Sequence, residues 1–94
     1  MYARVSTYEG DAEGLPEGFQ RQTAPLEQVD GFERAHFLID SDSRKAMSIT
    51  MWESKEALEA SAEAANRMRE DATQPSAAAI ISVDSYEVAI TVGG

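Results

Sequence analysis

Lys45-Ala46-Met47-Ser48-Ile49-Thr50-Met51-Trp52-Glu53-Ser54 is the run on which the fold turns. Side chains alternate across a strand, so Met47, Ile49 and Met51 fall on one face. Ala46, Ser48, Thr50 and Trp52 fall on the other. The strand ends at Glu53, and Ser54 is well suited to cap a helix. Glu56 then sits in the first turn, where the helix dipole favours an anion. A strand with apolar side chains on both faces needs a cover on each.

Upstream, Phe32 to Asp40 reads as a second strand, joined to the first by Ser41-Asp42-Ser43-Arg44. Four polar residues suit a hairpin loop. Asp30-Gly31 is a turn signal. Before it, Leu15, Phe19, Gln22, Leu26 and Val29 recur at spacings of 4, 3, 4 and 3, one face of a helix with a polar Gln in it. Pro16 suits the first helical turn. Pro25 has no N–H for the carbonyl of Arg21, so a kink or break is expected there, and Gly18 weakens the helix further. Tyr2 to Tyr8 alternates and reads as a strand, stopped by Glu9-Gly10-Asp11.

Downstream, the helix after Ser54 should run from Lys55 to about Ala72. Leu58, Ala62, Ala65, Met68 and Ala72 form its apolar stripe. That stripe is mostly alanine, so the helix either approaches a sheet closely or leaves room for a ligand. Gln74-Pro75 ends it. Ala79 to Val92 reads as a last strand, before a frayed Gly93-Gly94. The order is β-α-β-β-α-β, an α+β ferredoxin-like arrangement with two helices on one face of an antiparallel sheet. The other face, with Met47, Ile49 and Met51 and, from the last strand, Ile81 and Val83, would be bare in a monomer. A second copy is the simplest cover, so a homodimer is expected.

The 94 residues fit a single domain spanning 1–94, small enough for its core to gain from a partner. Seventeen acids face eight bases, a net charge of −9, and no stretch is densely basic. Nucleic-acid binding needs Lys and Arg to replace phosphate counterions, so nucleic acid is not an expected partner. No stretch is long enough to span a membrane, and the first residues lack the apolar run of a signal peptide. The absence of cysteine excludes disulfides, thiolate metal sites and a Cys nucleophile, and suits a cytoplasmic setting. One His and no Cys argue against a metal site. There is no Gly-rich phosphate loop and no Ser-His-Asp signature.

Asp30-Gly31-Phe32 before one strand, Ala46 to Ser54 running into a helix, the Trp52-Glu53-Ser54 step followed by Glu56-Ala57-Leu58, and the position of Pro25 together resemble the antibiotic biosynthesis monooxygenase superfamily. The resemblance spans nearly the whole chain. It implies a dimeric α+β barrel, two sheets face to face with helices outside. It also implies kinds of activity: cofactor-independent oxygenases of aromatic polyketides, and haem-degrading enzymes. The haem degraders use an Asn on the first strand and a His on the second helix. Here the first strand offers Ser6 and Thr7, and that helix has no His, so haem turnover is not expected. The oxygenases place a Trp and polar groups in a cavity between sheet and helices, and Trp52 matches that Trp.

Candidate site residues follow. Trp52, with Ser48 and Thr50 on its face, suits an apolar pocket with a few orienting groups, or else a core Trp with a satisfied N–H. Tyr8 and Tyr86 could donate phenolic hydrogen bonds, and Asn66 could reach a ligand from the helix. Each has a packing or solvated alternative. His36 is the only side chain that titrates near neutrality unperturbed, and so a possible acid-base group. If Asp40 pairs with Lys45, His36 lies beside Ile49, away from Trp52, and a single bulge would reverse this. Arg34 and Glu53 could pair across strands, or Arg34 could bind an acidic ligand, and Glu53, Glu56, Glu59 and Glu63 read as a solvated face. The expected function is a cofactor-independent oxygenase of a small aromatic or quinol-like molecule. The alternative is a non-catalytic ligand-binding or regulatory dimer.

Overall fold

The expected hairpin sets the frame of the sheet. In a computed structural model describing residues 1–10, 13–74 and 78–93, β2 (Phe32–Asp40) and β3 (Lys45–Trp52) are antiparallel with Asp40 opposite Lys45. β1 (Tyr2–Glu9) pairs with β3 on one side and β4 (Ala79–Glu87) on the other, giving the order β2-β3-β1-β4. Asp11, Pro75 and Gly94, named above as stop signals or chain end, lie outside the described residues. Gly31 enters β2 with φ +81°, and its carbonyl accepts from the Glu53 N–H at 2.9 Å. That closes the base of the hairpin beside Trp52.

The helices pack on one sheet face, and here the structure refines the reading. α1 (Leu15–Glu27) buries Leu15, Gly18, Phe19, Gln22 and Leu26, and Pro25 lies inside it without ending it. A proline in the last turn removes only one backbone bond, so the expected break is absent. The polar residue in the stripe is accounted for: Gln22 Nε2 donates to the Gly18 carbonyl and, at 2.6 Å, to Asp71. The second helix is two helices, α2 (Lys55–Ala60) and α3 (Ala62–Thr73), parted at Ser61. Ser54 caps α2 by accepting from the Ala57 N–H at 3.1 Å. At the break Ser61 turns inward, 2% exposed, and its hydroxyl donates to the Leu58 carbonyl at 2.7 Å. Ala62, expected in the apolar stripe, is therefore exposed.

β4 ends at Glu87, short of the expected Val92. Its faces also differ from the simple alternation, because the register with β1 shifts between Thr7 and Tyr8. Val83 lies opposite Ser6 and so on the helix side, whereas Tyr86 lies opposite Ala3 on the open side. The open face thus carries Met47, Ile49 and Met51 of β3 and Val5 of β1, paired to Ile49. Leu38, 49% exposed, and Tyr86, 56% exposed, extend it at the two edges. Arg34 is opposite Met51, and no ion pair joins it to Glu53.

Between sheet and helices the core falls into two clusters. One is Tyr8, Leu15, Phe19, Ala46 and Ala72; the other is Leu26, Trp52 and Leu58. α1 and α3 meet closely at the first. A Cβ on Gly18 would lie 1.9 Å from the Ala72 carbonyl oxygen, so only glycine permits this approach. Arg21 adds an ion pair to Asp71 at 3.4 Å, exposed and worth little.

Candidate functional site

The cavity lies between the two core clusters. Its floor alternates along two strands: Arg4, Ser6 and Tyr8 of β1, and Ser48, Thr50 and Trp52 of β3. Phe19, Gln22 and Leu26 of α1 and Phe37 of β2 form one side. Its roof is Ser61 at the break between the helices and Ala64, Ala65, Met68, Arg69 and Ala72 of α3. The cavity volume is about 40 Å³, room for a water molecule or two. The expected poverty of bulk over Trp52 is present: Ala64 and Ala65 are small, and they and Met68 are only half-buried.

Trp52 is 1% exposed, and its indole N–H donates to Thr50 Oγ1 at 3.0 Å. Phe32 meets the indole edge-on at 5.6 Å between ring centroids. Trp52 is therefore a buried wall of the cavity with a satisfied N–H. Thr50 accepts from the indole and keeps its own hydroxyl proton to donate. Tyr8 and Ser48 share a hydrogen bond of 3.0 Å between their hydroxyl oxygens. Burial raises the Tyr8 phenol above its ordinary pKa, against the opposing effect of the Ser48 bond. At neutral pH Tyr8 is a neutral donor and not a base.

Of the residues read as site candidates, Trp52, Ser48, Thr50 and Tyr8 meet at this cavity. Asn66 does not: it is exposed and its side-chain oxygen accepts from Arg69. His36 does not either. It is opposite Ile49 and exposed, on the open sheet face. Tyr86 lies on that face too.

The residue that sequence reading passed over is Arg4, 6% exposed. Its Nη1 donates to Ser61 Oγ at 3.0 Å and its Nη2 to the Leu58 carbonyl at 2.7 Å. Its guanidinium carbon lies 5.7 Å from the centroid of the Trp52 ring, a cation–π distance. The signal was available in the alternation Tyr2, Arg4, Ser6, Tyr8, which puts Arg4 on the face of Tyr8. Arg69 reaches the same cavity from α3. Burial lowers the pKa of both guanidiniums, and for Arg4 the charge of Arg69 adds to the effect. Both remain protonated, since arginine stays charged across the pH range of proteins.

Haem does not fit these residues. No His lines the cavity, so it offers no imidazole to a haem iron. Titration with haem should give no one-to-one Soret shift; a sharp shift followed by loss of the haem spectrum on adding reductant would overturn this. Among the described residues no three His, Asp or Glu side chains gather as a metal site, and no helix is long and apolar enough to cross a membrane.

Residues 1–68 match the model of a family described as antibiotic biosynthesis monooxygenase. No curated protein matches the chain in sequence. Among solved structures, the chain is similar to SnoaB of Streptomyces nogalater, a cofactor-independent oxygenase, with TM-score 0.74, 15% identity, and coverage of 99% of this chain and 97% of that one. It is similar to the haem degrader MhuD of Mycobacterium tuberculosis, with TM-score 0.67, 23% identity, and coverage of 99% and 100%. It is also similar to the monooxygenase ActVA-Orf6 of Streptomyces coelicolor, solved with nanaomycin D, with TM-score 0.64, 16% identity, and coverage of 98% and 92%. At these identities the likeness is one of fold.

Proposed function

Since the chain belongs to the antibiotic biosynthesis monooxygenase family, we propose that it is a homodimeric, cofactor-independent oxygenase of a small aromatic or quinol-like molecule held against Trp52. One observation carries this reading. A large indole face, hydroxyl donors and a guanidinium converge on one cavity between sheet and helices. The structures similar in fold include two oxygenases.

The chemistry is that of the substrate. A hydroxyanthracene in its anthrone form loses a ring CH₂ proton to solvent water before it is enclosed, and the bound carbanion gives one electron to O₂. The two radicals combine in a C–O bond, the peroxide takes up a proton, and loss of water leaves a carbonyl. One O₂ is consumed; one of its oxygens stays in the quinone and the other leaves as water. The protein's part is to keep water from the anion and to offset its charge with donors already in place. Thr50, Ser48 and Tyr8 supply neutral donors, and Arg4 a cationic one.

A ring larger than the present cavity requires α3 to move outward. Alanine and a half-buried Met68 leave little packing to lose. The test is oxygen uptake by metal-free protein with a panel of hydroxyanthracenes and quinols. Turnover above buffer with at least one member supports the reading, and none with any member counts against it.

A second reading, a non-catalytic small-ligand-binding or regulatory dimer, is favoured by one observation. The cavity of about 40 Å³ has neither His nor carboxylate in its lining. Binding without oxygen uptake would select it.

In both readings the open sheet face meets a second copy. Leu38, Val5, Ile49, Met51 and Tyr86 supply the apolar surface that a partner sheet would cover. Light scattering at micromolar concentration should give twice the chain mass. Ile49→Asp should give the monomer mass or unfold the protein, because a carboxylate would be buried in the interface without a partner. A monomeric parent would end the dimer proposal.

A further inference from the structure

In a chain with a net charge of −9, the cavity is lined by two arginines and by no Asp, Glu or His. The one ion pair between described residues is Arg21–Asp71, which involves neither arginine. Arg4 is held by neutral acceptors only, the Ser61 hydroxyl and the Leu58 carbonyl. Arg69 donates to the Asn66 amide oxygen, also neutral, and its adjacent acid, Glu70, is exposed and outside the lining. A buried cation without a counter-charge is costly, and an anionic ligand would offset that cost. The cavity also has no group to act as a base, so it is built to receive an anion and not to make one.

We propose that the cavity selects aromatic molecules already anionic at neutral pH, with the ring against Trp52 and the anionic oxygen at Arg4, assisted by Arg69. The 5.7 Å from the Arg4 guanidinium to the Trp52 ring sets the spacing. A single ring on the indole would place a substituent oxygen within hydrogen-bond reach of that guanidinium, where charge-assisted bonds are about twice as strong as neutral ones. The proposal rests on the pocket reading above and narrows its substrate class. Anionic oxygen is the shared chemistry, whether carboxylate or acidic phenolate.

The test uses one-ring probes, because they ask for the smallest outward movement of α3. Benzoate and 4-nitrophenolate are compared with their neutral counterparts, benzamide and 4-nitroanisole, by calorimetry and by the indole N–H resonance of the single Trp. Both anions should bind at least about tenfold more tightly than their neutral partners and shift that resonance, as expected for a charge-assisted bond. Arg69→Gln should shrink the preference, and Arg69→Lys should retain most of it. Arg4→Gln should abolish it, provided circular dichroism shows the variant folded. If it does not fold, the wild-type pairs and the Arg69 variants decide. A preference for one anion only assigns the oxygen type and supports the proposal. Equal binding of anions and neutral rings would overturn it while leaving the pocket in place. If no probe moves the indole resonance, the pocket reading itself fails, and this proposal with it.

Discussion

Gly18→Ala should destabilise the protein by about 2 kcal/mol, although alanine is the better helix former. Replacing a helical glycine by alanine gains about 1 kcal/mol where space allows. Here the new Cβ would sit 1.9 Å from the Ala72 carbonyl oxygen, 2.8 Å from its carbonyl carbon and 3.0 Å from its Cα. These are backbone atoms of α3, so no side chain can turn aside, and a whole helix must shift. Overpacking that forces backbone shifts costs about 1–3 kcal/mol, and more goes with it. Gln22 and Arg21 hold Asp71 one residue away, and a displaced α3 would stretch those bonds. The net loss should lower the melting temperature by roughly 10 °C for a domain of this size. Thermal unfolding followed by circular dichroism reads it directly. A melting temperature at or above the parent's would mean that the two helices do not meet as described.

How far this architecture could be read from the sequence depends on how local its causes are. The faces of β3 follow from alternation alone: Ser48, Thr50 and Trp52 line the cavity under the helices, and Ala46 packs with Leu15 and Phe19 of α1. The short polar loop fixed Asp40 against Lys45, and with it the place of His36 on the open face. The break at Ser61 was hidden. Its cause is the Arg4 guanidinium, 57 residues away in sequence, which meets the inward-turned hydroxyl. The face of Val83 was misassigned because one shift of register in the β1–β4 pairing is invisible to an alternation count. Arg4 itself was passed over because a charged residue in a strand is ordinarily taken as solvated. Its burial follows from what stands around it: Trp52 beside it, and the end of α2 with the Leu58 carbonyl and the Ser61 hydroxyl above it.

Trp52 should separate stability from function when it is replaced in two ways. The indole is 1% exposed and packs in the cluster with Leu26 and Leu58, so Trp52→Ala should cost about 3–5 kcal/mol. That is a large share of the stability of a typical small domain, and the variant should be unfolded or nearly so at ambient temperature. Trp52→Phe keeps much of the apolar volume and the edge contact to Phe32. It loses the 3.0 Å bond to Thr50, whose hydroxyl can turn to other acceptors. Its cost should be about 1–2 kcal/mol. Because the only Trp is removed, urea unfolding of both variants must be followed by circular dichroism. The phenyl ring offers a smaller stacking face and a weaker cation–π partner for Arg4. The Phe variant should therefore fold but bind aromatic anions at least several-fold more weakly than the parent, as calorimetry would show. A Phe variant with parental affinity and turnover would make Trp52 a core residue that happens to border a void. The ligand would then have to be sought elsewhere on the protein.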